Sequence, residues 1–153
     1  MLKRSDTVTV VCIVDDKILV LDEEQPHRGP RVSFPGGRVD SDDESVLAAA
    51  KREVKEETGY EFAEWKLVHV MQPQPKLEWF VHLFVAYGVT NKGATNHDAG
   101  ERIKAELKTF DEVKTLATQG KGFIGEAQRV LEKCNNLEDL KSFAEYSGQT
   151  VDR

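Results

Sequence analysis

Three glutamates, Glu53, Glu56 and Glu57, lie close together in the segment between Arg52 and Tyr60. On a helix that advances about 100° per residue, their side chains fall within an arc of about 100° and share one face. Like charges at these spacings repel one another by about 0.2–0.5 kcal/mol per pair. Magnesium is a hard cation that carboxylates, waters and substrate phosphates bind through oxygen. The triplet therefore predicts a Mg²⁺ site, with Mn²⁺ as the alternative ion.

The alternative interpretation is a solvated acidic helix face, balanced by the neighbouring lysines and arginine. Two glycine signals favour a site instead. Gly36 and Gly37 precede the acidic segment, and Gly59 follows it at the position where a left-handed helix cap is expected. The acidic triplet together with these glycines indicates a site more specifically than either feature does alone.

An apolar stripe predicts how this helix packs. Leu47, Ala50 and Val54 follow the i, i+3, i+7 pattern of a buried helix face. Ser41 and Glu44 fit a capping box, with Ser41 as the N-cap residue and Glu44 at the third helical position. This predicts that the helix begins directly after Ser41.

The segment from Gly37 to Tyr60 resembles the box of the Nudix hydrolases, G-x5-E-x7-R-E-U-x-E-E-x-G-U, where U is a bulky apolar or aromatic residue. Glu44 is followed by seven residues and then by Arg52 and the acidic triplet, in register with the second part of the pattern. The first part departs from it, because six residues separate Gly37 from Glu44 and Asp43 stands where the family usually has a glycine. The resemblance implies a mixed α/β (α+β) domain, built as an α/β/α sandwich around a central mixed sheet.

The resemblance also implies roles for individual residues. As metal ligands it implies the Gly37 carbonyl, Glu53, Glu56 and Glu57. Arg52 is expected to orient the glutamates, and Glu44 to support the conformation of the box. Either Glu53 or Glu101 is expected to be the general base, and Glu101 is preferred to Asp98 and Glu106 as the further carboxylate before a late strand.

Three residues outside the box are candidate substrate contacts. Arg28 belongs to a polar loop over residues 22–30 and Arg31 begins the short strand that follows it, where positive charge can meet a phosphate. Trp79 can stack on a nucleobase. The alternatives are a solvated loop for the arginines and a core or sheet-surface position for the tryptophan.

Two further features indicate the substrate. Pro75 lies fifteen residues beyond Tyr60, a spacing that resembles the members acting on ADP-ribose. The segment from Gly122 to Ala127 resembles the closing helix of nucleotide-sugar pyrophosphatases in the family. The predicted reaction is therefore metal-dependent hydrolysis of the pyrophosphate in ADP-ribose or a nucleotide sugar. Dinucleoside polyphosphates, nucleoside triphosphates and capped RNA are the alternatives within the family, and a non-catalytic nucleotide- or protein-binding domain or a purely structural interaction domain are alternatives of another class.

The composition is that of a globular protein of ordinary domain size, with 39% hydrophobic and 31% charged residues among 153. The net charge of −6 disfavours binding to nucleic acid by bulk attraction. No apolar run approaches the 18 residues of a membrane span. We expect a cytoplasmic protein without membrane contact, with a Nudix domain over residues 1–134, a helical appendage over residues 135–153 and a homodimer as an open alternative.

The remaining pattern predicts the elements that carry the site. The predicted strands cover residues 7–14, 18–21, 31–34, 65–71, 77–87 and 103–110. Helical patterns follow at residues 111–117 and 125–133, with a weaker one from Leu137 to Ala144. Cys12, inside an apolar strand, is expected to be a buried thiol and not a nucleophile.

Overall fold

The computed structural model describes residues 2–25, 29–95, 103–118 and 125–143. Within these ranges, only the backbone is described for residues 23–25, 29–31, 103 and 125–126. In chain order the elements are β1 (Leu2–Lys3), β2 (Thr7–Val14), β3 (Lys17–Gln25), β4 (Gly29–Ser33), β5 (Gly36–Arg38), α1 (Val46–Thr58), β6 (Tyr60–Met71), β7 (Leu77–Glu78), β8 (Val81–Lys92), β9 (Ile103–Lys108), α2 (Phe110–Thr118), α3 (Gly125–Glu132) and α4 (Leu137–Lys141).

The main sheet is mixed and has seven strands in the described part of the chain. Its central path runs β4, β3, β2, β8 and β6, with β5 paired to β2 and β9 paired to β3. Strands β2 and β8 are parallel, whereas β6 and β8 are antiparallel over a long ladder. The hairpin of β2 and β3 turns through Asp15, which has a positive φ of 56°. Short aspartate side chains tolerate this left-handed conformation better than most residues.

Both faces of the sheet are covered, because alternate residues of each strand point in opposite directions. On one face α1 buries Val46, Ala50 and Val54 against residues of β2, β6 and β8. On the other face α2, α3 and α4 pack against a second cluster that includes Leu83. This arrangement is the α/β/α sandwich with a central mixed sheet that the sequence predicts.

The N-terminus of α1 differs from the prediction. The N-cap residue is Ser45, whose Oγ accepts a hydrogen bond from the backbone N–H of Ala48 at 3.0 Å. The prediction of a capping box formed by Ser41 and Glu44 is therefore wrong. Residues 40–43 form a turn of their own instead, in which Asp43 N–H donates to the Asp40 carbonyl at 3.1 Å and Asp40 N–H donates to Asp43 Oδ2 at 2.8 Å. Because that turn satisfies the backbone locally, the helix starts one turn later.

The glycine pair belongs to a regular strand. Gly36, Gly37 and Arg38 form β5, which pairs with Thr9, Val8 and Thr7 of β2. At Gly36 an added Cβ would collide with the Val8 carbonyl oxygen. Glycine is therefore required at Gly36 for the close approach of β5 to β2.

The C-terminus of α1 has the predicted glycine cap. Gly59 has a φ of 77°, and its N–H donates to the Lys55 carbonyl at 2.9 Å. Its own carbonyl accepts from Gly93 N–H at 2.7 Å, which ties the end of α1 to the end of β8.

Gly59→Ala is expected to destabilise the protein by more than the cost of the backbone conformation, which is about 1–2 kcal/mol. An added Cβ would also collide with the carbonyl of Gly93. Gly88→Ala is the matched control, because Gly88 has a similar φ of 75° but only ordinary contacts at 3.5 Å or more. Urea unfolding of both variants should show the larger loss for Gly59→Ala, and equal losses would contradict the collision.

The residues after Cys134 pack on the rest of the domain. Leu140 of α4 is fully buried in the cluster that also contains α2 and α3, and Lys66 Nζ of β6 donates to the Lys141 carbonyl at 3.3 Å. The boundary between residues 134 and 135 stays a prediction. Among the described residues, no helix has the length and apolar character needed to cross a membrane.

Candidate active site

Strand β5 and helix α1 form the centre of the candidate site. Gly36 N–H donates to Glu57 Oε1 at 3.0 Å. The carboxyl group of Glu53 lies against Gly37, so closely that a Cβ added there would fall within 2.6 Å of its atoms. Two of the three predicted metal-binding glutamates therefore face adjacent glycines of one short strand.

Arg52 connects the acidic residues to one another. Its Nη1 donates to Glu53 Oε1 at 3.0 Å and to Glu56 Oε2 at 3.4 Å. Its Nη2 donates to the carbonyl of Arg38, at the end of β5, at 3.0 Å. A single guanidinium thus connects two glutamates of α1 to β5, and the orienting role of Arg52 stays a prediction.

The partner that holds Arg52 itself is Asp43. Arg52 Nε donates to Asp43 Oδ1 and Nη2 donates to Asp43 Oδ2, both at 2.9 Å, in a bidentate pair. The Asp43 side chain is only 8% exposed. Bidentate pairs between arginine and carboxylate combine two charge-assisted hydrogen bonds with a defined orientation.

Glu44 is not brought into this group. It is solvent-exposed and lies outside α1, and it forms no hydrogen bond or ion pair within the described residues. Sequence reasoning missed Asp43, although a signal was present. Five residues separate Gly37 from Asp43, which is the spacing that the box gives to its first acidic residue.

The electrostatics of the site distinguish the acidic residues. The hydrogen bonds and charge of Arg52 hold the pKa of Asp43 below its usual value, although burial opposes this. Burial raises the pKa of Glu53, and the Arg52 guanidinium counteracts only part of this effect. The pKa of Arg52 is raised above its usual value, chiefly by the Asp43 hydrogen bonds. Asp43 is therefore a fixed anion, and Glu53 is the carboxylate that takes up a proton more readily than an ordinary glutamate.

The donor atoms suit a hard divalent ion, because carboxylate and backbone oxygens are the ligands that magnesium prefers. The Glu53 carboxyl group occupies the position beside Gly37 that a Cβ would otherwise fill. Within the described residues no three acidic, histidine or cysteine side chains converge on one point as a preformed metal site. Glu56 is turned toward Arg52 instead.

Of the predicted substrate contacts, Trp79 is the one whose side chain lies in the described part of the chain. Trp79 Nε1 donates to Thr7 Oγ1 at 3.2 Å, and the Arg4 guanidinium carbon lies 4.0 Å from its ring centroid. One face of the ring is therefore occupied by an arginine. Arg28 and Glu101 lie outside the described residues, as does the side chain of Arg31.

Gly37→Ala is expected to displace the Glu53 carboxyl group, because the new methyl group would occupy its position. We expect turnover to fall by about 10–100-fold, the range seen when the support of a metal ligand is removed. Steady-state kinetics with saturating Mg²⁺ measures this. Gly93→Ala is the control, because an added Cβ there has its nearest contact at 3.8 Å, and turnover equal to wild type in Gly37→Ala would contradict the packing argument.

These features define a family. The model of the NUDIX domain matches residues 3–126, and the chain therefore belongs to the Nudix hydrolase family. The prediction of the family and of its fold is confirmed. A curated relative, the mitochondrial coenzyme A diphosphatase of Mus musculus, is 47% identical over 47 residues, which are 31% of this chain and 22% of the relative.

Solved structures show the same fold. A NUDIX hydrolase from Nitrosomonas europaea has a TM-score of 0.65 at 24% identity, covering 93% of this chain and 91% of the other. An ADP compounds hydrolase has a TM-score of 0.64 at 22% identity, covering 76% of this chain and 62% of the other. A MutT NUDIX hydrolase from Burkholderia pseudomallei has a TM-score of 0.62 at 16% identity, covering 88% of this chain and all of the other. The chain thus spans less than two thirds of the ADP compounds hydrolase and under a quarter of the curated relative.

Proposed function

We propose that this chain hydrolyses the pyrophosphate linkage of a nucleoside diphosphate derivative, with ADP-ribose or another ADP-containing compound as substrate. The observation that carries the proposal is the placement of Glu53 and Glu57 against the glycines of β5, with Arg52 fixed between Asp43 and the acidic residues. Membership of the Nudix family supports the type of reaction.

The comparisons support the adenine nucleotide class. One structural neighbour is named an ADP compounds hydrolase, and the curated relative is a coenzyme A diphosphatase. Both names describe substrates with an adenosine diphosphate unit, since coenzyme A contains one. Pro75, at the spacing that resembles members acting on ADP-ribose, agrees with this class.

In the proposed site, Glu53, Glu56, Glu57 and the Gly37 carbonyl would hold Mg²⁺, or Mn²⁺ in its place. When bound, the ion neutralises pyrophosphate charge and lowers the pKa of a coordinated water. Arg52 keeps Glu53 and Glu56 oriented, and the Gly36 N–H holds Glu57. The raised pKa of Glu53 suits a group that accepts a proton from the attacking water.

The reaction adds the water oxygen to one phosphorus atom and breaks the bond from that phosphorus to the bridging oxygen. The products are a nucleoside monophosphate and the second phosphorylated group. Glu101 is the alternative proton acceptor.

A substrate panel with product identification tests the proposal. ADP-ribose, coenzyme A, a nucleotide sugar, a diadenosine polyphosphate, a nucleoside triphosphate and capped RNA are each incubated with the protein and Mg²⁺. We expect the ADP-containing diphosphates to be cleaved fastest, with AMP formed from ADP-ribose, and Glu57→Gln to lack this activity. Faster cleavage of a triphosphate or of capped RNA would overturn the substrate class.

Metal binding has a readout that does not require turnover. Mg²⁺ at about 100 times its Kd is expected to stabilise the folded protein by about 2.7 kcal/mol, because it binds the folded state. Thermal unfolding with and without Mg²⁺ measures this effect, which Glu57→Gln should reduce. A midpoint that does not change with Mg²⁺ would contradict the metal site and favour a binding domain without catalytic activity.

A further inference from the structure

A groove lies on the side of α1 turned toward β6, away from the Gly36 and Gly37 strand. It has a volume of about 280 Å³ and lies between α1 and the paired strands β6 and β8. Its lining comprises Lys51, Arg52 and Lys55 from the helix, Glu61, Phe62 and Trp65 from β6, and Thr90 from β8.

The helix side of the groove is positively charged. Lys51, Arg52 and Lys55 occupy little more than one turn, in a chain whose net charge is −6. Lys51 and Lys55 are i,i+4 neighbours, which repel when both are charged. Because Arg52 is paired with Asp43, Glu53 and Glu56, the positive charge that this wall offers to a ligand is that of the two lysines.

The one carboxylate of the lining compensates Lys55 but not Lys51. Glu61 forms an ion pair with Lys55 at 3.5 Å and accepts a hydrogen bond from Asn91 Nδ2 at 2.9 Å. Its pKa is lowered by these partners, so that it stays charged. Lys51 has no ion pair or hydrogen bond within the described residues. Lys51 is therefore the cation of the lining whose charge is available to an anion.

The sheet side of the groove is aromatic. Phe62 is buried at 7% exposure and forms the floor, whereas Trp65 is half-buried. The Trp65 ring is fixed by an edge contact with Phe62 at a centroid distance of 6.2 Å, and its Nε1 donates to the Phe62 carbonyl at 3.1 Å. Because its only hydrogen-bond donor is engaged, Trp65 can offer a ligand only its ring surface. Stacking of a base on such a ring contributes about 1–3 kcal/mol.

The size of the groove restricts the ligand. Pockets for drug-sized ligands range from about 300 to 1,000 Å³. A volume of about 280 Å³ is small for a dinucleotide but suits one planar ring with one phosphate, part of which stays in solvent. From the cationic wall, the aromatic floor and this volume, we propose that the groove is a second ligand site, which binds a nucleoside monophosphate with its base on Trp65 and its phosphate at Lys51 and Lys55.

Arg52 belongs to both sites. Its side chain lines the groove, while its guanidinium holds Asp43, Glu53 and Glu56. The second site is nevertheless independent of the metal, since Glu53 and Glu57 face β5 and are absent from the groove lining. Binding there is expected to persist when a chelator removes divalent ions.

Fluorescence of Trp65 tests the second site directly. The chain has two tryptophans, so a Trp79→Phe background leaves Trp65 as the one reporter. AMP is titrated in the presence of a chelator, with adenosine and inorganic phosphate as separate probes. We expect a saturable change with AMP, at an affinity at least about tenfold higher than with either part alone, equivalent to about 1.4 kcal/mol.

Lys51→Ala/Lys55→Ala is expected to weaken AMP binding by about tenfold or more, at an unchanged thermal midpoint, because both lysines are solvent-exposed. Lys3→Ala/Lys76→Ala is the matched control, since these exposed lysines lie elsewhere on the surface. Lys51→Glu provides a second test by reversing one charge. The proposal is overturned by the absence of a saturable change, by equal affinity in both double variants, or by phosphate alone binding as tightly as AMP.

The same titration in a Glu57→Gln variant separates this proposal from the proposed reaction. If the variant still binds AMP but does not hydrolyse substrate, the groove is supported as a second ligand site, whichever substrate the panel shows to be cleaved. Loss of binding in that variant would place AMP at the candidate active site and overturn the second site.

Discussion

Glu53→Gln is expected to lower turnover by about 10²–10⁴-fold, the usual contribution of a positioned acid or base, without destabilising the protein at neutral pH in the absence of metal. The activity is lost because glutamine neither accepts a proton nor supplies a charged ligand. The stability is retained because the Gln amide oxygen can still accept the hydrogen bond that Arg52 Nη1 donates to Glu53 Oε1 at 3.0 Å.

The pH dependence of this effect follows from the pKa of Glu53, which burial raises in the folded state. A carboxyl group with a raised pKa disfavours the folded state at pH values above that pKa, where the group is ionised in both states. The penalty disappears below the unfolded value of about 4.3, where both states are protonated. Glu53→Gln should therefore gain most in stability relative to wild type near pH 7, and the gain should vanish below about pH 4.

Thermal unfolding with a chelator between pH 7 and pH 4, together with kcat for a substrate that the panel shows to be cleaved, measures both effects. Glu56→Gln is the matched control. Its carboxylate is 40% exposed, so water already solvates the charge and its removal should change stability little. A Glu53→Gln variant that unfolds more readily than wild type at pH 7 would contradict the electrostatic argument.

The fold could be predicted because its determinants are local or periodic. The apolar run of β2 and the stripe at Ala50 and Val54 appear in the sequence. Residues 8–14 of β2 are 5% exposed or less, and Ala50 and Val54 are fully buried. The Gly59 cap is equally local, since it depends on one residue that tolerates a positive φ. Each of these predictions required only the neighbouring residues.

The details of the candidate site could not be predicted in the same way, because they depend on contacts distant in sequence. The strand Gly36–Arg38 exists because β2 lies beside it, and a two-glycine segment has no strand propensity of its own. The predicted start of α1 was wrong because two serines, Ser41 and Ser45, both fit the N-cap position. The turn from Asp40 to Asp43 decided between them.

Asp43→Asn is expected to destabilise the protein by about 1.5–3 kcal/mol, the usual contribution of hydrogen bonds to a charged group. The Asp43 side chain is 8% exposed and accepts both hydrogen bonds of the bidentate pair with Arg52. An asparagine has one acceptor oxygen and no charge, so it can satisfy only one of them. Glu44→Gln, one residue away, should change stability by less than about 0.5 kcal/mol, because Glu44 is exposed and outside α1.

The difference in the free energy of unfolding between wild type and Asp43→Asn should depend on pH. Arg52 lowers the pKa of Asp43 in the folded state. The stabilisation by Asp43 is therefore complete at pH values above its unfolded pKa of about 3.9. It is lost as the pH falls through the lower pKa that Asp43 has in the folded state. Urea unfolding at pH 7 and pH 3 should show wild type approaching Asp43→Asn in acid.

Activity distinguishes a positioning role of Asp43 from a purely structural one. Without Asp43, the partners of the Arg52 guanidinium among the described residues are Glu53, Glu56, the Arg38 carbonyl and a longer contact to Asp40 at 3.5 Å. We expect kcat to fall by about 10–100-fold with little change in KM, because Arg52 then no longer holds Glu53 and Glu56 in one geometry. Asp43→Glu should retain more activity than Asp43→Asn, since it keeps the charge. Should Glu44→Gln lower kcat as much as Asp43→Asn, the anchor of Arg52 would be Glu44, and the bidentate pair would not account for the order of the candidate site.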